Sequence, residues 1–435
     1  MSTPQNRRTF LQTAAGAVAA GSVSRILGAN ERINLVVIGV GGRGTGHVNS
    51  YGRLADCRIV GICDVNQAAR ERSVALVEKA SGQKPKEYAD MRQVFDDKNV
   101  DAVSMATPNH WHALGTIWAC QAGKDVYVEK PASHNVWEGT KMIEAARKYK
   151  RMVQIGSQSR SSAHLRKAMD LLQQGVIGKV YLSKGLCYKR RKTIGRKPDG
   201  PVPPGVNWDM FLGPAPLRAF NENRFKYNWH WFWDTGNGDL GNQGVHQMDI
   251  AIWGLSRNSL PTGVISTGGK FVYDDDQETP NTQTVTLEYP DAHLVFEVRG
   301  LLTGDEGGIR MRGGNCIGNL FYGADGWMTL DGAGFQVYKG ESRELALEEK
   351  GGREDNSPHM QNFLDCIKSR KSEALNAEVA IGATSAALCH LGNISYRLGR
   401  KLKLDPAAGR FVGDDEANRM LTRDYRKPYV VPERV

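Results

Sequence analysis

Three glycines at the end of an apolar run carry the first chemical signal in the sequence. The β-branched run from Ile33 to Ile38 predicts a strand buried on both faces, as in a parallel sheet covered by helices. The glycines that follow stand in G-x-G-x-x-G spacing: Gly39, Gly41 and Gly44. Where a strand turns into a helix, the first glycine permits the tight turn, the second lets the backbone approach a pyrophosphate, and the third allows close packing. Gly42 and Arg43 would then present a phosphate-attracting helix N-terminus.

An acidic residue follows the next apolar run. Residues 58–63 predict a second short strand, and Asp64 comes directly after it, about 20 residues beyond Gly44. A carboxylate there can accept both hydroxyls of an adenosine ribose and would repel a 2′-phosphate. The spacing therefore favours NAD as the cofactor, with NADP left open because nearby basic residues could accept a phosphate. The alternative is a surface turn with an unrelated aspartate.

Polar side chains also follow two further predicted strands, residues 100–106 and 125–128. They are Thr107, Asn109, His112, Glu129 and Lys130. Polar residues at the carboxyl ends of a parallel sheet face its ligand crevice. Taken alone, Lys130 would be interpreted as a solvated surface charge, since lysine is rarely buried.

A glycine-rich loop leads into a predicted apolar helix that carries His246. Asn242 lies four residues earlier and would face the same side of that helix, and Asp249, three residues on, could orient the start of the helix or a neighbouring side chain. A histidine with a near-neutral pKa can take a hydroxyl proton while a hydride leaves the same carbon. Without further context, His246 would be interpreted as a core histidine whose hydrogen bonds are satisfied.

The order of these motifs resembles the Gfo/Idh/MocA family of glucose-fructose oxidoreductases, inositol dehydrogenases and their relatives. The resemblance spans about residues 31–400 and rests on the motifs above, with Lys130 in Glu-Lys-Pro and His246 in Gly-Val-His. It implies an N-terminal Rossmann domain with a doubly wound parallel sheet. It also implies a C-terminal α/β domain whose large, open, mostly antiparallel sheet faces the nicotinamide.

The resemblance also assigns roles to residues. It implies that Lys130 lies beside the nicotinamide and the substrate, that His246 is the acid/base residue, and that Gln158 lies near the cofactor. Many relatives carry an aspartate where this chain has Asn242. Because an amide cannot take up a proton, a relay assisted by an aspartate is not expected at that position.

The activity that the resemblance implies is an NAD(P)-dependent transfer of hydride between the nicotinamide and a hydroxyl of a sugar, polyol or glycoside. One alternative is a redox-neutral, NAD-dependent glycosidase or lyase. It would form a transient ketone that acidifies the adjacent C–H, eliminate the glycosidic group, and then return the hydride. Another alternative is a non-catalytic NAD-binding protein. The two catalytic alternatives differ in whether an aglycone leaves without net change in the cofactor.

The sequence predicts four segments. Residues 1–30 contain Arg7 and Arg8 before a mildly apolar stretch, which resembles a twin-arginine signal and predicts periplasmic export by that machinery. A disordered leader or an amphipathic anchor is the alternative. We then expect the Rossmann domain at 31–155, the C-terminal domain at 156–404, and a polar tail at 405–435 that wraps over a surface or over a partner subunit of a homo-oligomer.

Composition narrows the classes of partner. The net charge is +10, but the basic residues are dispersed apart from the cluster 189–192, which we interpret as a solvated loop and not as a nucleic-acid site. Seven cysteines without a C-x-x-C pair indicate neither a disulfide framework nor a zinc site, and we expect no metal. No apolar run of the sequence is long enough to cross a bilayer.

An aromatic run at 227–234 includes His230 and Trp231. Such a cluster is usually part of a core, but its rings could also pack on the apolar C–H face of a sugar. We therefore regard His230 and Trp231 as candidate substrate contacts, together with Asn242 and Asp249.

Overall fold

The computed structural model describes residues 32–352 and 355–435, so the predicted export signal at 1–30 lies outside the described residues. A six-stranded sheet forms the first domain, in the order β3-β2-β1-β4-β5-β6, and every strand pair in it is parallel. Its strands are β1 (Ile33–Ile38), β2 (Cys57–Cys63), β3 (Lys86–Tyr88), β4 (Ala102–Met105), β5 (Asp125–Val128) and β6 (Val153–Ile155). Its helices are α1 (Arg43–Tyr51), α2 (Gln67–Ser81), α3 (Met91–Asp96), α4 (Asn109–Gln121) and α5 (Val136–Lys148).

Strand β1 is buried on both faces, as its apolar run predicts. Val36 and Ile38 pack into one apolar core, whereas Leu35 and Val37 pack into another on the opposite face of the sheet. This alternation follows from the two-residue period of a strand, so a continuous apolar run fits only a strand covered on both sides. The carboxyl end of β1, where the glycine motif stands, is thereby fixed in the middle of the sheet.

The second domain contains a ten-stranded sheet in the order β14-β13-β12-β11-β7-β10-β9-β8-β15-β16. All of its pairs are antiparallel except β7 with β10, which confirms the predicted large and mostly antiparallel sheet. Its strands are β7 (Val180–Lys189), β8 (Gly263–Gly269), β9 (Thr282–Tyr289), β10 (Ala292–Arg299), β11 (Asn315–Gly323), β12 (Gly326–Asp331), β13 (Gly334–Lys339), β14 (Glu344–Lys350), β15 (Leu402–Asp405) and β16 (Arg410–Phe411). The helices along this part of the chain are α6 (Ala163–Gln173), α7 (Trp208–Leu212), α8 (Gly238–Gly241), α9 (Gly244–Gly254), α10 (Ser357–Ser369), α11 (Val379–Leu398) and α12 (Asp415–Arg419).

Two late segments return to the first domain. Met360 and Phe363 of α10 are fully buried in the core that also contains Leu35. The tail ends there too, with Tyr429 and Val431 in the core on the other face. The last residues of the described chain therefore pack over their own first domain. Within the described part of the chain, no helix combines the length and the apolar character that a membrane span requires.

Candidate active site

The three motif glycines occupy three different environments at the carboxyl end of β1. Gly39 has φ +83°, in the region that favours glycine, and forms the tight turn. A Cβ on Gly44 would lie 1.9 Å from the carbonyl oxygen of Gly39, so only glycine lets α1 start this close to the strand. At Gly41 and Gly42, by contrast, a Cβ would meet nothing within 4 Å. The open side of the turn at Gly41 is therefore the side from which a pyrophosphate can approach.

Asp64 lies at the carboxyl end of β2 and holds the glycine turn. Its Oδ2 accepts a hydrogen bond from the backbone N–H of Val40 (2.7 Å), and its Oδ1 accepts one from the N–H of Asn66 (2.8 Å). Burial raises the pKa of Asp64, and the two N–H donors oppose that effect. Since a carboxylate oxygen can accept more than one hydrogen bond, both oxygens retain capacity for the hydroxyls of a ribose.

Thr107 provides an unpartnered donor beside the same turn. A Cβ on Gly39 would lie 2.8 Å from the Thr107 nitrogen, which shows how closely the ends of β1 and β4 approach. The hydroxyl of Thr107 is buried and makes no hydrogen bond to any residue in the described ranges. Leaving a buried hydroxyl unpaired costs about 1–3 kcal/mol. Together with the open cradle at Gly41, this hydroxyl fits an NAD bound along the edge, held by Gly41, Gly42, Asp64 and Thr107.

Asn109 and His112 begin α4 and make contacts that position the site. Asn109 Nδ2 donates to Asn237 Oδ1 (3.0 Å) in the second domain. The buried ring of His112 lies between two carbonyl oxygens, with Nδ1 2.6 Å from that of Pro131 and Nε2 2.8 Å from that of Thr107. His112 thus ties the Thr107 turn to the Glu-Lys-Pro segment that follows β5.

Glu129 is the centre of a buried polar cluster. Its Oε1 accepts hydrogen bonds from Arg43 Nε (2.9 Å) and Gln158 Nε2 (3.0 Å) and lies 3.0 Å from His47 Nε2. Burial alone would raise the pKa of Glu129, but Arg43 and His47 hold it well below its usual range. This carboxylate joins the start of α1 to the chain that leaves β6. His47 lies one helical turn after Gly44 on the buried side of α1, and no motif in the sequence marks it as part of the site.

Lys130 reaches from the first domain into the second. Its Nζ donates to the backbone oxygen of Asn242 (3.0 Å) and lies 3.4 Å from Asn242 Oδ1. Burial lowers the pKa of Lys130 to about 8, with Glu129 opposing the shift and Arg43 and Lys189 adding to it. The ammonium is therefore charged at neutral pH and loses its proton a little above it.

His246 lies in the first turn of α9, four residues after the residue that Lys130 contacts. Its ring makes no hydrogen bond to another side chain or carbonyl in residues 32–352 and 355–435, and it is half-buried. Burial, and after it the Lys130 ammonium, lower the pKa of His246 to about 3, so the imidazole is neutral. A neutral ring with an available nitrogen next to an ammonium suits proton transfer from a hydroxyl.

The end of β7 contributes a second lysine that the sequence analysis did not select. Lys189 Nζ donates to Gln243 Oε1 (2.9 Å), at the residue after the one that Lys130 contacts. Arg191 is also largely buried, with its guanidinium paired to both oxygens of Asp239 at 2.7 Å. The interpretation of the basic cluster as a solvated loop is therefore wrong for these two residues. Residue charge alone gave no signal, because their partners are about 50 positions away.

Of the remaining candidate substrate contacts, three lie together beside Lys130 and one lies elsewhere. Asn242 Nδ2 donates to the hydroxyl of Tyr227 (3.0 Å), and the half-exposed ring of Tyr227 lies beside that of His230, with centroids 4.5 Å apart. Trp231 is buried beneath them. Asp249 lies elsewhere, fully buried and paired with Arg160 through both oxygens at 2.8 and 2.9 Å.

The fold and the site together define a two-domain protein of the dinucleotide-binding class. The family model described as "Oxidoreductase family, NAD-binding Rossmann fold" matches residues 33–157, and the one described as "Oxidoreductase family, C-terminal alpha/beta domain" matches residues 163–297 and 327–431. The chain belongs to this Gfo/Idh/MocA oxidoreductase family. The predicted family, fold class and NAD-binding domain are confirmed.

The curated relatives share a shorter stretch. The alpha-N-acetylgalactosaminidase of Shewanella oneidensis is 27% identical over 203 residues, which are 40% of this chain and 44% of that relative. The chain thus spans less than half the length of the curated relatives it matches.

Solved structures extend the likeness over most of the chain. The WlbA dehydrogenase from Bordetella pertussis, in complex with NADH and UDP-GlcNAcA, has a TM-score of 0.62 and 19% identity, covering 86% of this chain and 99% of its own. The aldose-aldose oxidoreductase from Caulobacter crescentus, complexed with glycerol, has a TM-score of 0.64 and 18% identity, covering 86% and 100%. At these identities the likeness shows the fold.

Proposed function

We propose that this protein is an enzyme that moves a hydride between NAD and a hydroxyl-bearing carbon of a sugar, polyol or glycoside. The observation that carries the proposal is the convergence of Lys130 with the turn that begins the helix of His246, 3.0 Å from Nζ to the oxygen of Asn242. The two residues are 116 positions apart in the chain, and the effect of the Lys130 ammonium on the pKa of His246 supports their lying close together. When bound, NAD would accept or return the hydride.

Lys130 and His246 have different roles in the proposed reaction. The Lys130 ammonium can donate a hydrogen bond to the substrate oxygen and stabilise the negative charge that develops on it. The neutral imidazole of His246 can take the proton from that oxygen. Its pKa of about 3 makes it a weak base, but a hydroxyl becomes strongly acidic while its carbon is being oxidised, so a weak base is sufficient.

The aromatic residues beside the site support a carbohydrate substrate. Tyr227 is 50% exposed, its hydroxyl accepts a hydrogen bond from Asn242, and its ring lies beside that of His230. Sugars present apolar C–H faces that pack on aromatic rings. The two solved relatives described above, with a nucleotide sugar and with glycerol, favour the same class.

The test is to denature the purified protein, identify any dinucleotide that it releases, and then incubate the intact protein with NAD and a panel of sugars, polyols and glycosides. Both ketone and released aglycone are measured. NADH formed in equal amount to the ketone supports the dehydrogenase. If the panel gives neither ketone nor aglycone while NADH binds tightly, the protein is a non-catalytic NAD-binding protein.

A redox-neutral glycosidase is the second candidate, and the 27% identity to an alpha-N-acetylgalactosaminidase favours it. In this reaction Lys130 would stabilise the oxygen of a transient ketone, which acidifies the neighbouring C–H so that the aglycone can leave by elimination. Water would then add to the resulting double bond before the ketone is reduced. Because the hydride returns to the sugar, the cofactor shows no net change. Release of aglycone without NADH accumulation would distinguish it from the dehydrogenase.

We also propose that the protein is exported to the periplasm by the twin-arginine machinery and forms a homo-oligomer. Arg7 and Arg8 before the apolar stretch support export. Replacing both with lysine is expected to retain the protein in the cytoplasm, as shown by cell fractionation. Sedimentation of the purified protein measures the oligomeric state, and a mass equal to one chain would contradict the second proposal.

A further inference from the structure

A segment of the second domain crosses onto the first domain next to Asp64. We call residues 202–207 the strap. The backbone N–H of Gln67 donates to the oxygen of Gly205 (2.9 Å), and the N–H of Asn207 donates to the oxygen of Val65 (3.0 Å). Between them, Asn66 and Val206 face each other as an antiparallel bridge. The strap therefore forms a short antiparallel ladder with the residues that directly follow Asp64.

This ladder lies at the adenosine end of the dinucleotide site. In a Rossmann domain the acidic residue at the end of the second strand binds the adenosine ribose, so the residues after it border the adenosine. A shallow depression of about 590 Å³, open to solvent, lies here. Its walls come from both domains: Val65, Gln67, Arg70 and Ala89 on one side, and Val202, Gly205, Val206 and Trp208 on the other.

Arg70 supplies an unpartnered polar atom in that wall. Its Nη1 donates to the backbone oxygen of Asp64 (2.7 Å). Its Nε is buried and makes no hydrogen bond within the described ranges, and the nearest carboxylate oxygen, on Glu87, is 3.9 Å away. The hydrogen bond to Asp64 holds the Arg70 side chain against the end of β2, beside the depression.

The far end of the strap is anchored in a rigid aromatic cluster. Trp208 follows it directly, donates from Nε1 to the oxygen of Arg218 (2.8 Å) and stacks on Phe211 with 4.9 Å between ring centroids. The strap itself is exposed at Val202 and Gly205, two backbone hydrogen bonds join it to the first domain, and Val206 packs with Val65 on the aromatic cluster. A short, mostly exposed span that follows a packed base and makes few buried contacts is the kind of segment that can open locally.

We propose that the strap forms the outer wall of the adenosine site and must open for the dinucleotide to exchange. The inference rests on the NAD-binding domain and goes beyond the proposed substrate, because it concerns release of the cofactor and not the reaction.

A reversible crosslink tests it. Asn66 and Val206 form a non-hydrogen-bonded antiparallel pair, in which Cα atoms stand about 4.5 Å apart. That spacing is within the range of a disulfide. The double variant Asn66→Cys/Val206→Cys should therefore form one on oxidation, and the seven native cysteines are buried and should not compete. Loss of the Asn66 cap of α2 costs about 1 kcal/mol in both redox forms.

The measurement is the rate at which bound NADH leaves, followed by its fluorescence after addition of excess NAD. We expect the oxidised double variant to release NADH at least tenfold more slowly than the same protein after reduction with a thiol. The reduced form and the single variant Asn66→Cys should be within about threefold of the unmodified protein. These two forms are the matched controls for the substitutions themselves.

Two results would overturn the inference. One is equal release from the oxidised and reduced forms, and the other is failure of the two thiols to pair, which would show that the strap does not lie against residue 66. Failure of the proposed reaction looks different, because NADH would then bind and leave as described while no substrate in the panel reacts.

Discussion

At the scale of single residues, the site depends on groups whose ionisation is altered by their neighbours. Burial lowers the pKa of Lys130 to about 8, so its charge is present below pH 8 and is lost above it. If the ammonium stabilises the substrate oxygen, kcat/KM should fall tenfold per pH unit above about pH 8. In Lys130→Arg that fall should move beyond pH 10, because arginine stays protonated, although the overall rate is lower.

The pH profile of kcat/KM measures this prediction, and Lys192→Arg is its control. Lys192 is exposed on the loop after β7, and its replacement should leave the profile unchanged. A fall near pH 8 that persists in Lys130→Arg would assign the titration to another group.

Glu129 gives a second residue-scale prediction, on stability. Its folded pKa is held well below its value in the unfolded chain, about 4.3. The stabilisation is therefore complete above about pH 5 and is lost as the pH falls toward the folded pKa. Urea unfolding should show Glu129→Gln less stable by about 3 kcal/mol at pH 6, because Arg43 loses its buried partner, and the gap should narrow toward pH 3.5. A gap independent of pH would contradict this.

Local features of the site are visible in the sequence, whereas the contacts between distant residues are not. The roles of Gly39 and Gly44 could be predicted because a turn is a local structure and its spacing is visible in the sequence. The partner of Lys130 could not be predicted, since the oxygen that it contacts belongs to Asn242, 112 positions away. The environment of Lys189 could not be predicted either, because its partner, Gln243, lies 54 positions away.

At the scale of elements, two glycines of the turn between β1 and α1 have different roles. Gly44 is needed for the fold, whereas Gly41 is needed for binding of the dinucleotide. A methyl group on Gly44 would collide with the backbone oxygen of Gly39 at 1.9 Å, so Gly44→Ala should lower the free energy of unfolding by about 1–3 kcal/mol. Gly41→Ala meets nothing within 4 Å and should fold normally, but its methyl group occupies the cradle and should weaken NADH binding about tenfold, or 1.4 kcal/mol.

Thermal unfolding and NADH titration of the two variants, measured side by side, test the separation. The pair acts as its own control, because each variant adds one methyl group within four residues of the other. Equal stability of both variants would contradict the role of Gly44 in the fold. Unaltered NADH affinity of Gly41→Ala would contradict the approach of the pyrophosphate from the open side of the turn.

Single strands could be predicted from the sequence, but the order of the strands in the larger sheet could not. The apolar period of β1 and the alternation in 282–298 predicted strands that the structure contains. The order of the ten-stranded sheet is not encoded locally: β7 pairs parallel with β10 and antiparallel with β11, at separations above 100 residues. Such pairings depend on which apolar faces meet after the chain collapses.

At the scale of the whole molecule, the tail joins the two domains. Arg423 Nη1 lies 3.0 Å from His134 Nδ1 and donates to the oxygen of Asp234 (2.9 Å), and the buried ring of Tyr429 lies 5.3 Å from that of Trp111. Tyr429→Ala should therefore cost about 3–5 kcal/mol, as for other large aromatic side chains removed from a core. Val430→Ala, at a 39% exposed neighbour, should cost less than about 0.5 kcal/mol.

Urea unfolding of these two variants measures the contribution of the tail. The expectation follows from the structure alone, because the polar sequence after residue 405 indicated a surface segment without showing what it covers. Similar stability of the two variants would mean that the tail is not part of the folded core.

The central claim is that dinucleotide and sugar meet between Lys130 and His246, and deuterium transfer tests it most directly. The protein is incubated with NAD and a substrate from the panel that carries deuterium on its ring carbinol carbons, and the label in the nicotinamide is measured by mass spectrometry after a single turnover. We predict transfer by the unmodified protein, and at least a hundredfold slower transfer by Lys130→Met and by His246→Asn, with NADH affinity retained. Transfer at the unmodified rate by both variants would contradict the account.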